Sequence, residues 1–289
     1  MGLDFTPVAL ARQDEYRARL QQTPQVSADY SFVNLWAWAE EYGLTWAWED
    51  DLVWIRQAVP RQVFWAPVGD WTKVDWVRRM RKFQDQDFVR LPETLAVRMV
   101  HSHPQARIKA SRPQWEYLYS VPELIALAGN RFHAKQNLLR QFQSSYIWRY
   151  QPLSEELISL VLEMQDQWCV WRNCDASPAL AAEDRAIAKI LGSYRSLPGL
   201  MGGVLWADLR VIAFTVAEAL PGEVLVVHFE KGMGEYKGIY QAINHEFLST
   251  HREYGLVNRE QDLGNEGLRK AKMSYNPVDF LRKYELLWL

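Results

Sequence analysis

Val204-Leu205-Trp206-Ala207-Asp208-Leu209-Arg210-Val211-Ile212-Ala213-Phe214 and, earlier, Trp46-Ala47-Trp48-Glu49-Asp50-Asp51-Leu52-Val53-Trp54-Ile55 decide how this chain folds. Each is a pair of short aromatic and β-branched runs around acidic residues, the pattern of a β-hairpin; the second stretch turns at Ala207-Asp208. Around the first, residues 7–42 read as helices, ended by Gly43, and 61–67 as a strand. Residues 71–84 follow as a helix with Trp71, Val74, Val77 and Met80 at helical spacing. A strand at 88–91, a helix from Pro92, strands at 107–109 and 115–119 and a long amphipathic helix at 122–143 complete a unit. Around the second hairpin the order returns: helices at 154–168 and 180–195, a strand at 223–232, a helix within 238–255, a short strand at 256–262, a helix at 265–277 and a last strand at 280–289. Helices mixed with hairpins predict an α+β chain of two tandem domains, 1–145 and 146–289, each a mixed sheet flanked by helices.

The 289 residues are 48% hydrophobic with 13 Pro and 15 Gly, which excludes a disordered or collagen-like chain. A formal charge of −2 provides no global attraction to nucleic acid or anionic membrane, so any anion site is local. Cys169 and Cys174 fit neither a redox pair nor a zinc knuckle, and two thiols in a reducing cytoplasm are expected. There is no apolar run of about 18 residues and no basic, then apolar, leader. Residues 2–6 match only the loose myristoylation pattern, which is too short to carry weight. Eight of the 14 Trp lie between Trp36 and Trp76, and their spread over hairpin and flanking helices predicts an aromatic core for the first domain.

No phosphate-loop or nucleophile-elbow motif occurs, and His245 and His251 stand about 240° apart on a helix, so they cannot share a zinc. No metal site is expected. Three constellations remain. Along 224–231 the period of two puts His228 and Glu230 at the end of an apolar face, where burial would tune them for proton transfer; Glu218 ends the preceding strand likewise. After that strand, Lys231, the Gly-rich loop, Lys237 and a helix starting near Gly238 could cradle a phosphate, or could simply form a tight turn. Within Asn258 to Tyr275, the cations Arg269, Lys270 and Lys272 share one turn; they form an anion site or stabilise a helix C-terminus.

Three runs, HFEKG (228–232), GIYQAIN (238–244) and VNREQDLGNEGLRKAKMSYNP (257–277), together with GNRFHAKQNLLRQF (129–142), resemble the bacterial family defined by the phosphatidylglycerol lysyltransferase C-terminal domain. The resemblance implies a duplicated GNAT-like acyltransferase fold with an aminoacyl-tRNA or acyl-CoA donor. It also draws Asn244, Asn258, Arg259, Glu260, Asp262 and Ser274 into the candidate site. A tRNA donor would need cations for its phosphates, and Arg131, Lys135 and Arg140 on the 129–142 segment are candidates beside the Arg269 turn. Where acyl-CoA enzymes carry [QR]xxGx[GA], this chain has Lys231-x-x-Gly234-x-Tyr236. The reading is an aminoacyl-type transferase, cytoplasmic, acting on an amine or hydroxyl, with His228 or Glu230 as base and Tyr240 or Tyr275 as acid. The competing readings are a GNAT-like protein that binds an anionic ligand or RNA without catalysis, and a Trp-rich interaction surface.

Overall fold

The computed structural model describes residues 3–49, 51–102 and 105–288; Gly2 of the acylation pattern, Asp50 of the first hairpin and Leu289 of the last run lie outside the described residues. The chain condenses into two units. Unit 1 contains residues 1–116, 261–266 and 280–289, and unit 2 contains 117–260 and 267–279.

In unit 1 the hairpin Thr45–Glu49 and Leu52–Gln57 pairs Trp46 with Ile55 and Trp48 with Val53. Its sheet runs Thr6–Pro7, Thr45–Glu49, Leu52–Gln57, Val63–Phe64, Phe88–Pro92, Lys283–Trp288, Ala106–Ala110, with Val68–Gly69 also paired to Leu52–Gln57. Helices Gln13–Leu20 and Glu93–His101 pack on it. Trp46, Trp54, Trp65, Trp71 and Trp76 are buried, as the clustering predicts; Trp65 donates to Gln57 (2.8 Å), Trp71 to the Pro67 carbonyl (2.7 Å) and Trp76 to the Trp71 carbonyl (3.1 Å), while the buried Trp54 indole N–H has no partner among the described residues. Each such ring contributes roughly 1.5–3 kcal/mol by leaving water.

In unit 2, Met201–Ala207 and Arg210–Leu220 form the second hairpin, with Asp208 and Leu209 both left-handed (φ 50° and 64°) in the two-residue turn. The sheet order is Trp148–Pro152, Met201–Ala207, Arg210–Leu220, Val224–Gly232, Leu256–Asn258, Glu116–Ser120, Asp279–Leu281. Lys231 faces Trp168 of helix Ile158–Arg172 while its neighbour Gly232 faces Ile239 of helix Ile239–Ser249, so helices cover opposite faces of the sheet. Among the described residues no helix is long and apolar enough to cross a membrane.

Four sequence expectations differ from this. The single division at 145/146 is replaced by an exchange: Lys283–Trp288 completes the sheet of unit 1, and Glu116–Ser120 enters that of unit 2. No strand is expected between the 122–143 and 154–168 helices, yet Trp148–Pro152 forms an edge strand paired with Met201–Ala207. The long helix at 122–143 is two helices, Val121–Ala126 and His133–Ser145, because Leu127 (φ 46°) and Gly129 (φ 84°) turn left-handed between them. Cys169 and Cys174 are joined in a disulfide, since Asn173 takes a left-handed conformation at the helix end and folds the chain back, bringing their Cα atoms to 5.0 Å.

Unit 1 is pinned by a buried charge network. The Lys283 ammonium, fully buried, donates to Asp29 and to Glu116 (2.9 Å); Glu116 also accepts from the Ser27 hydroxyl (2.5 Å), and Arg90 pairs with Asp29. Burial raises the Asp29 pKa, but the Lys283 and Arg90 charges outweigh it and hold the carboxyl at about 2. Lys283→Met should therefore cost about 3–5 kcal/mol in urea unfolding, because two buried carboxylates lose their cation. Because the folded pKa of Asp29 is depressed from 3.8, its contribution of about 2 kcal/mol is present above pH 3.8 and is lost as pH falls toward 2. An acid titration of the unfolding midpoint measures this.

Candidate active site

Strands Val224–Gly232 and Leu256–Asn258 run parallel, pairing Val224 with Leu256, Leu225 with Val257 and Val226 with Asn258. Beyond Val226 the first strand continues for six residues while the second ends, and Glu260 turns left-handed (φ 54°). Side chains span the parting. His228 Nδ1 lies 2.8 Å from Glu260, and Arg259 Nη2 donates to Glu230 at 2.8 Å. His228 Nε2 lies 2.9 Å from Glu218 on the neighbouring strand, so the ring is clamped between two carboxylates.

Local sequence places Arg259 tightly. Its amide donates to the Tyr117 carbonyl (3.0 Å), its carbonyl accepts from the Lys272 ammonium, and the buried Asn258 side chain accepts from the Glu260 amide (2.8 Å). Its guanidinium stands 4.8 Å from the centre of the Tyr275 ring, whose other cation neighbour is the Lys135 ammonium at 4.1 Å. Tyr275 is buried and its hydroxyl accepts from Gln241 (2.9 Å). Arg259 Nη1 is buried and has no hydrogen-bond partner among the described residues. This orphaned donor is the feature of the cluster that asks for a ligand, because burying one unmatched costs about 1–3 kcal/mol.

The electrostatics separate the roles. Burial disfavours the His228 cation, but its hydrogen bonds to Glu218 and Glu260 overcome that and raise its pKa to about 9. At neutral pH the ring is an imidazolium donating from both nitrogens, with no lone pair to accept a proton. His228 as general base is thus corrected: it is a tie between strands. Burial pushes the Tyr275 phenol up, although Arg259 opposes this, and Tyr240, also raised by burial, donates to the Gly232 carbonyl (3.3 Å). Burial and then the Arg259 charge lower the Lys135 amine.

Several expected ligand-binding residues are engaged otherwise. Lys231 is buried on the opposite face, paired with Glu183 (2.6 Å) and 4.0 Å above Trp168. Gly238 is left-handed and abuts the Leu138 carbonyl, where a Cβ would stand at 2.2 Å; the Lys237 amide is taken by the Tyr146 hydroxyl (3.1 Å) while its side chain is exposed. The Gly-rich loop is therefore a packing turn. Asp262 belongs to unit 1 and pairs with Arg112 (3.0 Å). Lys270 is exposed, Arg269 half-buried, and Lys272 turned inward, so the three cations do not form one patch; Ser274 donates to the Ala271 carbonyl (2.6 Å). Arg131 pairs with Glu123 (2.6 Å) and Arg140 is exposed, which leaves Lys135 of that segment at the cluster. Asn244 is buried and donates to Glu230 at 3.4 Å. The sequence reading missed Gln241 and Tyr119, whose hydroxyl donates to the Lys272 carbonyl (2.9 Å). Gln241 could have been found inside the GIYQAIN run; Tyr119 had no local signal.

The sequence profile of the family described as Phosphatidylglycerol lysyltransferase, C-terminal, matches residues 20–286. A conserved protein of unknown function from Bacteroides thetaiotaomicron is 29% identical, with a TM-score of 0.90 over 99% of this chain and 100% of that one. The structure of L-PGS from Bacillus licheniformis is 14% identical, with a TM-score of 0.66 over 100% of this chain and 93% of that one, a likeness of fold. Uncharacterized protein MYCGA3080 of Mycoplasmoides gallisepticum is 22% identical over 171 residues, 58% of this chain; the match spans about half of that relative, 54%. The fold is α+β, and the family is one of acyl- or aminoacyltransferases.

Because the folded pKa of His228 is raised from 6.5 to about 9, its stabilisation is complete below pH 6.5 and is lost as pH rises through 9. Unfolding free energies from urea titrations should fall across that window by on the order of 3 kcal/mol in the natural chain. In His228→Gln they should start lower and stay level there.

Proposed function

This chain belongs to the phosphatidylglycerol lysyltransferase C-terminal family, and we propose that it transfers an aminoacyl group from an activated ester or thioester to an amine or hydroxyl. The observation that carries this reading is the half-buried Arg259 guanidinium, braced by Glu230 through Nη2, whose buried Nη1 has no hydrogen bond among the described residues. A donor held that rigidly suits a carbonyl oxygen that becomes an oxyanion, since it need not reorganise as charge develops. The family name, which describes lysyl transfer, favours aminoacyl-tRNA as donor; a coenzyme A thioester is the alternative.

The chemistry then divides among three residues. Lys135, its pKa lowered, supplies a neutral amine fraction that takes the proton of the acceptor. The acceptor nitrogen or oxygen bonds to the donor carbonyl carbon, and Arg259 holds the oxyanion. As the intermediate collapses, the carbon–oxygen or carbon–sulfur bond breaks and the leaving atom takes the Tyr275 proton. Tyr275 suits this because burial keeps it a phenol and Gln241 occupies it as a donor, not as an acceptor. Lys135 then returns its proton to Tyr275, which closes the cycle without a cofactor. Glu230 orients Arg259, and His228 keeps the parting strands in place.

Transfer of labelled amino acid from a panel of charged tRNAs and aminoacyl thioesters should fall about 10²–10³-fold in Arg259→Gln and in Lys135→Met. Lys135→Met should keep the natural thermal midpoint. Undiminished transfer in both variants would remove the mechanism, and ligand-induced stabilisation by tRNA without turnover would favour a binding protein.

A further inference from the structure

We propose that Cys169 and Cys174 are a reversible thiol–disulfide couple, that Cys169 is the sulfur that exchanges with low-molecular-weight thiols, and that the bond closes a clasp on Lys231. The disulfide joins the end of helix Ile158–Arg172 to the turn that leads into helix Pro178–Gly192. Those two helices supply the partners of the buried Lys231 ammonium: the Trp168 ring at 4.0 Å comes from the first and the Glu183 carboxylate at 2.6 Å from the second. Lys231 follows Glu230 on strand Val224–Gly232. Just beyond that strand, Trp171 lies over Gly234, so closely that a Cβ on the glycine would meet the ring at 2.3 Å. One sulfur–sulfur bond therefore stands behind three side chains, Trp168, Trp171 and Glu183, that bear on the end of the strand.

A bond that serves only the stability of a fold does most when it ties distant segments, because the chain entropy it removes grows with the loop it closes. Here the sequence separation is 5, and the same two helices are already joined by Gln165, which donates to Asp184 at 2.8 Å. The bond is also reachable. Cys169 is half-buried, and Val170, Trp171, Arg172 and Asn173 between the two cysteines are all exposed, whereas Cys174 is buried (4%). Exchange requires an incoming thiolate to reach one of the two sulfurs, so access selects Cys169. Charge does not decide it, since the exposed charged side chains beside the pair, Arg172 and Asp175, are opposite in sign. The buried Gln165 amide donates to the Cys169 sulfur at 3.5 Å, which favours a thiolate there once the bond opens.

Two thiols balance the reduction. The first thiolate bonds to the Cys169 sulfur as the Cys169–Cys174 bond breaks, and Cys174 leaves as a thiolate that takes a proton from water. A second thiolate bonds to the sulfur of the first, which releases the Cys169 thiolate and a low-molecular-weight disulfide. Run in reverse, that disulfide is the oxidant that closes the couple. With the bond open, the left-handed turn at Asn173 (φ 54°) is no longer stapled, and Trp168 and Glu183 hold Lys231 less firmly. An effect on transfer, through Glu230 beside Lys231, rests on the proposed function; the couple and the clasp do not.

The test places the full chain in glutathione buffers of graded redox ratio, counts free thiols, and follows by mass spectrometry both trypsin cleavage after Arg172 and acylation of the Lys231 amine by a succinimidyl ester. The natural chain should pass reversibly between no free thiol and two while keeping a cooperative thermal transition. On reduction, cleavage after Arg172 and labelling of Lys231 should each rise about tenfold, because both need local opening of the helix pair. With oxidised glutathione, Cys174→Ser should form its mixed disulfide at Cys169 about tenfold faster than Cys169→Ser does at Cys174. Two free thiols at every ratio, thiols that appear only as the chain unfolds, or equal exchange by the two single variants would overturn the inference, as would Lys231 labelling that ignores the redox ratio. Absence of transfer in both redox states would count against the proposed function alone.

Discussion

A lysine ammonium with no exposure to water, held between two carboxylates, is the constraint on which the amino-terminal unit is built. Lys283 meets Asp29 and Glu116, and Arg90 completes the set on Asp29, so two buried negative charges face two positive ones. The four come from segments far apart in the chain, yet none can remain buried without the others, because an isolated charge in such surroundings loses far more hydration than folding returns. The network also fixes register. Side chains alternate along a strand, so a slip of one residue in Lys283–Trp288 would turn Lys283 to the other face and leave Asp29 and Glu116 unmatched. The exchange of strands between the two sheets is specified at this point, with the Lys283 carbonyl accepting from the Ser111 amide (2.9 Å) and the Trp115 indole (3.2 Å).

Each unit contains a parallel strand pair that parts early, and the two fill the parting differently. In unit 1 the pairing is Phe64 with Phe88, and beyond it stand the buried Trp65 and the Arg90 guanidinium stacked on that ring at 4.2 Å. Arg90 spends its charge on Asp29 and its face on tryptophan, so nothing is left for a ligand. In unit 2 the same space holds His228–Glu260 and Glu230–Arg259, ion pairs in place of aromatic rings, and one guanidinium nitrogen is left over. In the tryptophan-rich half rings close the parting of the sheet, and in unit 2 ion pairs occupy it.

Carboxylates on both sides keep His228 from acting as a base. A histidine with one free nitrogen can accept a proton; His228 has carboxylates at both. Its effect is to hold the parting strands at a fixed distance, which sets where Arg259 points. A residue type suited to proton transfer is here used for position, and the proposed reaction assigns the protons to Lys135 on helix His133–Ser145 and to Tyr275 in the turn after helix Glu266–Met273.

The sequence by itself determined the two hairpins, the helix and strand alternation, the aromatic filling of the first unit, and the short list that includes Glu230, Arg259, Lys135 and Tyr275. These are local properties: period two or 3.6, turn residues, propensity, and a family resemblance spread over 257–277. What only the tertiary structure decided is non-local. That Lys283–Trp288 and Glu116–Ser120 join sheets away from their sequence neighbours, that His228 is an imidazolium, that Lys231 faces away from the cluster while Lys135 faces into it, and that Cys174 reaches Cys169 all follow from which side chains the folded chain brings within a few ångströms. Charge state and hydrogen-bond partners are set by burial and neighbours, and a linear sequence carries neither until strand pairing has chosen them.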